Sequence, residues 1–153
     1  MEYKYINKRC FNISADNLYK LICNSEEWPS FIDECIEGRI MEKKGDQCVR
    51  YMKSIVNHKL CEMKTRCKFI DDEHKMMFEQ IESPWPIKSN RGQWYIETLA
   101  NGKNLMVLEH RVVARYGFIG DILMRLLIGK FFVYSHAEKI LDEFEKHIGE
   151  KNI

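Results

Sequence analysis

Hydrophobic and polar residues alternate along much of residues 1–115, with the two-residue period of half-buried β-strands. The first alternating stretch covers residues 3–13. Later stretches are separated by turn-forming residues, such as Lys44-Gly45-Asp46 and Ala100-Asn101-Gly102-Lys103. The pattern therefore predicts six more strands, at residues 35–43, 47–55, 59–70, 75–83, 88–99 and 104–115.

Two short helices are predicted between the first and second strands. Ser14 is a plausible N-cap, and Leu18, Leu21 and Ile22 have helical spacing, so residues 15–23 form the first helix. Ser25 can begin a second helix, which Pro29 would bend or end.

A long amphipathic helix is predicted at the end of the chain, reaching Ile148, with Asp121 at its start. From Ala137 onward it has one apolar face, as expected of a helix that lies on a sheet. Residues 118–134 are apolar almost all round, and residues 117–120 look like a hinge before them. This half needs a further cover, which an overlying loop, a partner chain, a membrane surface or an enclosed apolar ligand would each provide.

The order of elements predicts an α+β fold. An antiparallel sheet of about seven strands can bury one face, and the long helix is the only large element available to cover it. A curved sheet wrapped around a helix commonly leaves a cavity between them. We expect residues 1–153 to form a single domain of this kind.

Composition narrows the possible partners and sites. The formal net charge is +1, with 24 basic and 23 acidic residues, which argues against nucleic acid as a partner. The charged start and the lack of a long uncharged run predict a cytoplasmic protein, in which six cysteines without a CxxC pair form no disulfides. No ligand set with metal-site spacing, GxSxG motif or glycine-rich phosphate loop is present, so we expect neither metal nor cofactor.

Several short motifs resemble those of a known superfamily. They are Glu27-Trp28-Pro29 after the first helix, Pro84 and Pro86 leading to residues 90–94, and Asn101-Gly102 leading into the last strand. Their order resembles the START-like helix-grip (SRPBCC) superfamily and, within it, the bacterial polyketide aromatase/cyclases. The resemblance implies apolar or polycyclic ligands inside the grip. It also implies cofactor-independent closure and dehydration of the first ring of a poly-β-ketone carried on an acyl carrier protein.

The resemblance also implies site residues. It puts Trp28 and Trp94 at cavity-lining positions, where a plain core role is equally compatible with the pattern. An arginine of the family that holds a substrate ketone falls on the strand predicted at residues 59–70, where alternation points Arg66 outward unless a bulge re-aims it. Cys35 stands where the family usually has a tyrosine. The wider set expected to line the cavity is Trp28, Ile32, Cys35, Met63, Cys67, Phe78, Trp94, Met106, Leu108, Phe118 and Leu123.

Other polar residues can replace the family's groups. His110 shares a face with Met106 and Leu108 and is a candidate general acid or base, although a satisfied core histidine fits the same pattern. Gln80 is a candidate hydrogen-bond donor to a ketone, and Arg50 a further polar group that reaches the cavity. We therefore predict His110, Gln80 and Arg66 as the catalytic set.

Three functions remain open. The first is a polyketide aromatase/cyclase that acts on a carrier-bound intermediate. The second is non-catalytic binding or transport of a lipid, a quinone or another hydrophobic molecule, favoured by an outward Arg66 and by the apolar residues 118–134, which can make transient membrane contact. An interaction module with an exposed apolar helix face is a third reading. Basic residues near that helix, which suit an acidic carrier protein or lipid headgroups, are Arg111, Arg115, Arg125 and Lys130.

Overall fold

A computed structural model describes residues 1–83 and 85–151, apart from the side chains of Ile128 and Phe132. Pro84 of the proline motif lies outside the described residues. The strands are β1 (Glu2–Phe11), β2 (Cys35–Lys44), β3 (Gln47–Val56), β4 (Lys59–Ile70), β5 (Lys75–Glu82), β6 (Ile87–Thr98) and β7 (Asn104–Ala114). The helices are α1 (Ala15–Cys23), α2 (Gly117–Leu123), a π-helix (Met124–Tyr134) and α3 (Ser135–Lys151), with short 3-10 turns at Trp28–Ser30 and Asp71–Glu73.

The strands form one antiparallel sheet with the order β1-β7-β6-β5-β4-β3-β2. Strands β2 to β7 pair with one another in sequence order, and β1 forms the edge of the sheet by pairing with β7. The helices are then left to cover one face of the sheet. The predicted α+β class is confirmed: a curved sheet of seven strands is packed against a long C-terminal helix.

Local sequence explains the two elements after β1. The Ser14 hydroxyl accepts a hydrogen bond from the Asn17 amide at 3.2 Å, which caps α1 at the predicted residue. The second short helix is a single 3-10 turn with Pro29 in its first positions, where a missing N–H does no harm.

The C-terminal helix starts earlier and winds differently than its pattern predicts. It begins at Gly117, after Tyr116 in a left-handed conformation (φ 71°), so residues 117–120 are its first turn and not a hinge. The middle segment is a π-helix, whose wider turn changes the spacing of residues that meet the sheet. The buried positions along the three segments are Gly120, Met124, Gly129, Val133, Ala137, Leu141, Phe144 and Ile148.

Among the described side chains, the hydrophobic core forms two clusters. The first joins α1, the Trp28 turn and α3 to the middle of the sheet, and its large members include Trp28, Trp94 and Phe144. The second lies under α2 and the π-helix and comprises Ile87, Val112, Ala114, Met124 and Val133.

Candidate functional site

Polar side chains separate the two hydrophobic clusters. Along β7, Leu108 belongs to the first cluster and Val112 to the second, with inward-facing His110 between them. Asn90 lies in the same way between Ile87 and Trp94 on β6, and His136 between Val133 and Ala137 on the helix. On β1, the buried Asn7 side chain donates to the Tyr134 carbonyl at 3.2 Å and to the Glu138 carboxylate at 2.6 Å, on either side of His136 in the helix. We call Asn7, Asn90, His110 and His136 the polar layer.

His110 is the central group of the polar layer. Its Nδ1 hydrogen bonds to the Asn90 amide oxygen at 3.0 Å, and its ring meets the Phe78 ring edge-on at 5.2 Å between centroids. This bond places the proton on Nδ1 and leaves Nε2 as an acceptor, for which the described residues provide no partner.

The electrostatic surroundings keep His110 neutral. Burial lowers its pKa to about 4, and the nearby His136 acts in the same direction. The imidazole nevertheless keeps some solvent-accessible surface.

A second histidine of the polar layer lies on the helix and pairs with a carboxylate. His136 Nδ1 lies 3.0 Å from Glu34 Oε2, and the Lys139 ammonium lies 3.2 Å from the other oxygen of the same carboxylate. Burial lowers the pKa of His136, while the Glu34 carboxylate opposes that shift. Neither His136 nor Glu34 was predicted from the sequence, because the pair is separated by 102 positions and only the fold brings it together.

Gln80 lies beside the polar layer on β5. Its Nε2 is 3.3 Å from the Met63 sulfur, a weak acceptor, and its Oε1 is buried without a hydrogen-bond partner among the described residues. Three side chains on the helix-facing side of the sheet are only half-buried, namely Met63, Phe78 and Gln80. An unpartnered buried amide is ready to bond a polar group of a ligand.

Most of the other predicted lining residues lie in the packed first cluster. Trp28 and Trp94 are each 5% exposed, and both rings pack near the Phe144 ring, at 5.7 Å and 6.0 Å. The Trp28 indole N–H donates to the Leu21 carbonyl at 2.8 Å, so its polar atom is satisfied within the fold. The other predicted lining residues that are buried in this cluster are Ile32, Cys35, Cys67, Met106 and Leu108.

Three predicted site residues do not face the interior. Arg66 lies on the outer face of β4, with 58% of its side chain exposed and Glu79 at 3.8 Å. No bulge re-aims it, because it pairs regularly with Val49 and Glu79. Phe118 and Leu123 are 78% and 39% exposed, since the opposite side of their helix carries the residues that meet the sheet. The prediction that Phe118 and Leu123 line the cavity is corrected accordingly.

Arg50 has a structural role at the C-terminal end of α1. Its guanidinium donates to the Ile22 carbonyl at 3.3 Å and to the Cys23 carbonyl at 2.5 Å, at the end of α1. The last carbonyls of a helix have no partner within the helix, so Arg50 caps them.

The described part of the chain offers no group of three or more His, Cys, Asp or Glu side chains arranged to hold a metal ion. None of the described helices combines the length and the apolar character needed to cross a membrane.

Residues 11–145 match the family described as polyketide cyclase / dehydrase and lipid transport. The chain belongs to this family. The resemblance noted from its motifs is thereby confirmed, as is the fold that the family implies. No curated protein sequence matches the chain significantly.

Solved structures with the same fold include proteins of different description. The Zhui aromatase/cyclase from Streptomyces sp. R1128 is 14% identical, with 97% of this chain and 96% of that chain covered and a TM-score of 0.79. A Thermus thermophilus protein, TTHA0849, is also 14% identical, with coverages of 99% and 100% and a TM-score of 0.83. A START superfamily protein from Mycobacterium smegmatis is 12% identical, with coverages of 96% and 97% and a TM-score of 0.77. At these identities the likeness establishes the fold, and the choice between chemistry and binding depends on the site.

Proposed function

We propose that the protein is a cofactor-independent polyketide aromatase/cyclase, which binds a poly-β-ketone beside the polar layer and promotes aldol ring closure and dehydration. The observation that carries this proposal is the state of His110: inward-facing, neutral, oriented by Asn90 and free at Nε2. A neutral, oriented imidazole with a free nitrogen is able to accept a proton from a bound ligand.

In the first step, Nε2 of His110 removes a proton from a methylene group between two ketones, and the resulting enolate carbon attacks a ketone of the same chain. The C–C bond forms as the attacked carbonyl becomes an alkoxide, which takes up a proton to give an alcohol. Loss of a neighbouring proton and of the hydroxyl group as water then yields the double bond of the ring. No external oxidant or reductant is needed.

The low pKa of His110 leaves the imidazole free to accept a proton at neutral pH, although it makes His110 a weaker base than an ordinary histidine. The imidazole is unprotonated before reaction, and the enolate that forms beside it raises its pKa, because a nearby negative charge favours the imidazolium. The imidazolium is then able to return its proton to the alkoxide or to the departing hydroxyl group. His136, held by Glu34, is the second acid–base group. Gln80 orients a ketone by donating from Nε2, whose partner within the fold is only the weak acceptor Met63 sulfur.

The substrate would arrive on an acyl carrier protein, as the resemblance to aromatase/cyclases implies. Fixing the polyketone in one folded conformation contributes to rate and to regiochemistry, since it removes the entropy of choosing among many possible ring closures.

The test is to add the purified protein to a minimal polyketide synthase and analyse the cyclised products. We expect the protein to change the product profile, and His110→Ala or Gln80→Ala to reduce that change, by about 100-fold or more in rate for His110→Ala. Arg66→Ala, on the outer face of the sheet, is the matched control and should leave the profile as in the wild type. Circular dichroism checks that each variant is folded. A product profile that the wild-type protein does not alter would refute the proposal.

Non-catalytic binding of a lipid, a quinone or a similar molecule is the second candidate. It is favoured by the absence of arginine from the polar layer and by Cys35 at the position where the family usually has tyrosine. Native mass spectrometry of protein purified from its host should then show a bound apolar molecule. Repeated purification of empty protein would contradict this function.

A further inference from the structure

The helix over the second cluster exposes a continuous apolar face. Phe118 and Ile119, in its first turn, are 78% and 67% exposed. The exposed residues recur at steps of four and form two neighbouring rows along the helix. One row contains residues 118, 122 and 126, and the other contains residues 119, 123, 127 and 131. All of them therefore lie on one side of the helix. The members of this face are Phe118, Ile119, Ile122, Leu123, Leu126, Leu127 and Phe131, with exposures from 39% to 78%.

The opposite side of the same helix already has its partner. The residues on that side are buried against the sheet, and they are Gly120, Met124, Gly129 and Val133. The exposed rows therefore cannot be covered by rotating the helix, because rotation would expose the side that now meets β1 and β7.

The charge around the apolar face is positive. Residues 115–134 contain three basic residues, Arg115, Arg125 and Lys130, and a single acidic residue, Asp121. All three basic residues are exposed. The Asp121 carboxylate, unlike the three cations, is only half-exposed. The face thus has a local excess of positive charge in a chain whose formal net charge is only +1.

From this combination we infer that residues 118–131 dock on the surface of an anionic lipid bilayer. Bulky aliphatic and aromatic tips enter the boundary between headgroups and acyl chains, and Arg125 and Lys130 meet the lipid phosphates, their stems lying along the apolar surface. A second copy of the chain fits less well, because a two-fold contact would bring the same cations of both copies together.

This inference does not depend on the proposed enzymatic function, and its test contains no substrate. The full chain is sedimented with vesicles of phosphatidylcholine alone and with vesicles of phosphatidylcholine mixed with phosphatidylglycerol. We expect binding to the anionic vesicles that weakens as salt is added, and little binding to the neutral ones.

Two double variants locate the binding surface. Phe118→Ser with Ile119→Ser should reduce binding at least tenfold, and Arg125→Gln with Lys130→Gln by about fivefold for each charge removed. All four side chains are exposed, so the fold is retained. The control for the apolar variant is Met41→Ser with Leu60→Ser, which changes exposed apolar residues elsewhere. The control for the charge variant is Lys43→Gln with Lys146→Gln, which removes exposed cations elsewhere. These should bind as the wild type does.

Equal binding to neutral and anionic vesicles, no binding to either, or binding that the Phe118 and Arg125 double variants leave unchanged would overturn the inference. Analytical ultracentrifugation provides a further check. A dimer that the Phe118 double variant dissociates, in a protein that does not bind vesicles, would show that a second copy covers this face instead.

Discussion

Among single residues, His110 couples the site to the stability of the fold. Burial lowers its pKa from 6.5 to about 4. Between these two pH values the unfolded chain binds a proton that the folded protein does not, so the free energy of unfolding decreases as the pH falls. The stability is fully present above about pH 6.5, and the loss, on the order of 3 kcal/mol, is complete near pH 4.

This linkage predicts the behaviour of His110→Gln. Urea denaturation across this pH range should show a flatter decline of the free energy of unfolding than in the wild type, because one of the histidines whose pKa is lowered on folding is gone. His58→Asn, at an exposed turn position with a φ of 62°, is the control and should keep the wild-type slope. If the His110 variant kept that slope as well, burial of a neutral His110 would not be the cause.

At the scale of the elements, Gly129 sets how closely the π-helix approaches β1. A Cβ atom at this position would overlap the Tyr5 hydroxyl and ring. Gly129→Ala should therefore lower the free energy of unfolding by about 1 to 3 kcal/mol, despite the better helix propensity of alanine. Tyr5→Leu should relieve part of this loss, so the double variant will be more stable than the sum of the two single changes predicts.

Gly149 offers a matched control in the same C-terminal helix. A Cβ atom there meets no other atom within 4 Å. Gly149→Ala should raise the free energy of unfolding by about 0.5 to 1 kcal/mol, since it only restricts the unfolded chain. Chemical denaturation of both alanine variants compares the two cases directly. Equal effects at the two glycines would contradict the close approach of Tyr5 to the π-helix.

The elements also show what a sequence can reveal. The strands were predicted to within about two residues, because a two-residue period marks a half-buried strand directly, and the same alternation pointed Arg66 outward. The course of the C-terminal helix was not predictable, since a π-helix changes which residues meet the sheet without a distinct sequence signal. The Glu34–His136 pair needs the sheet and the helix in place before its two partners meet.

At the scale of the whole molecule, the split core makes stability uneven. The first cluster holds Trp28, Trp94 and Phe144 together with most of α3, whereas the second has five buried members and leaves the outer side of its helix in water. Segments with few buried contacts open without global unfolding. Residues 118–134 should therefore open locally more often than residues 137–148 of the same helix.

Native-state hydrogen exchange measures this difference. We expect amides in residues 118–134 to exchange with opening free energies roughly 2 kcal/mol or more below those of residues 137–148 and of β7, which exchange only by global unfolding. Local opening of this helix would uncover the side of the polar layer that Val133 and Met124 border, and so give a ligand access to His110. Uniform protection along residues 117–151 would instead mean that the helix and the sheet open as one cooperative unit, and that a ligand must enter elsewhere.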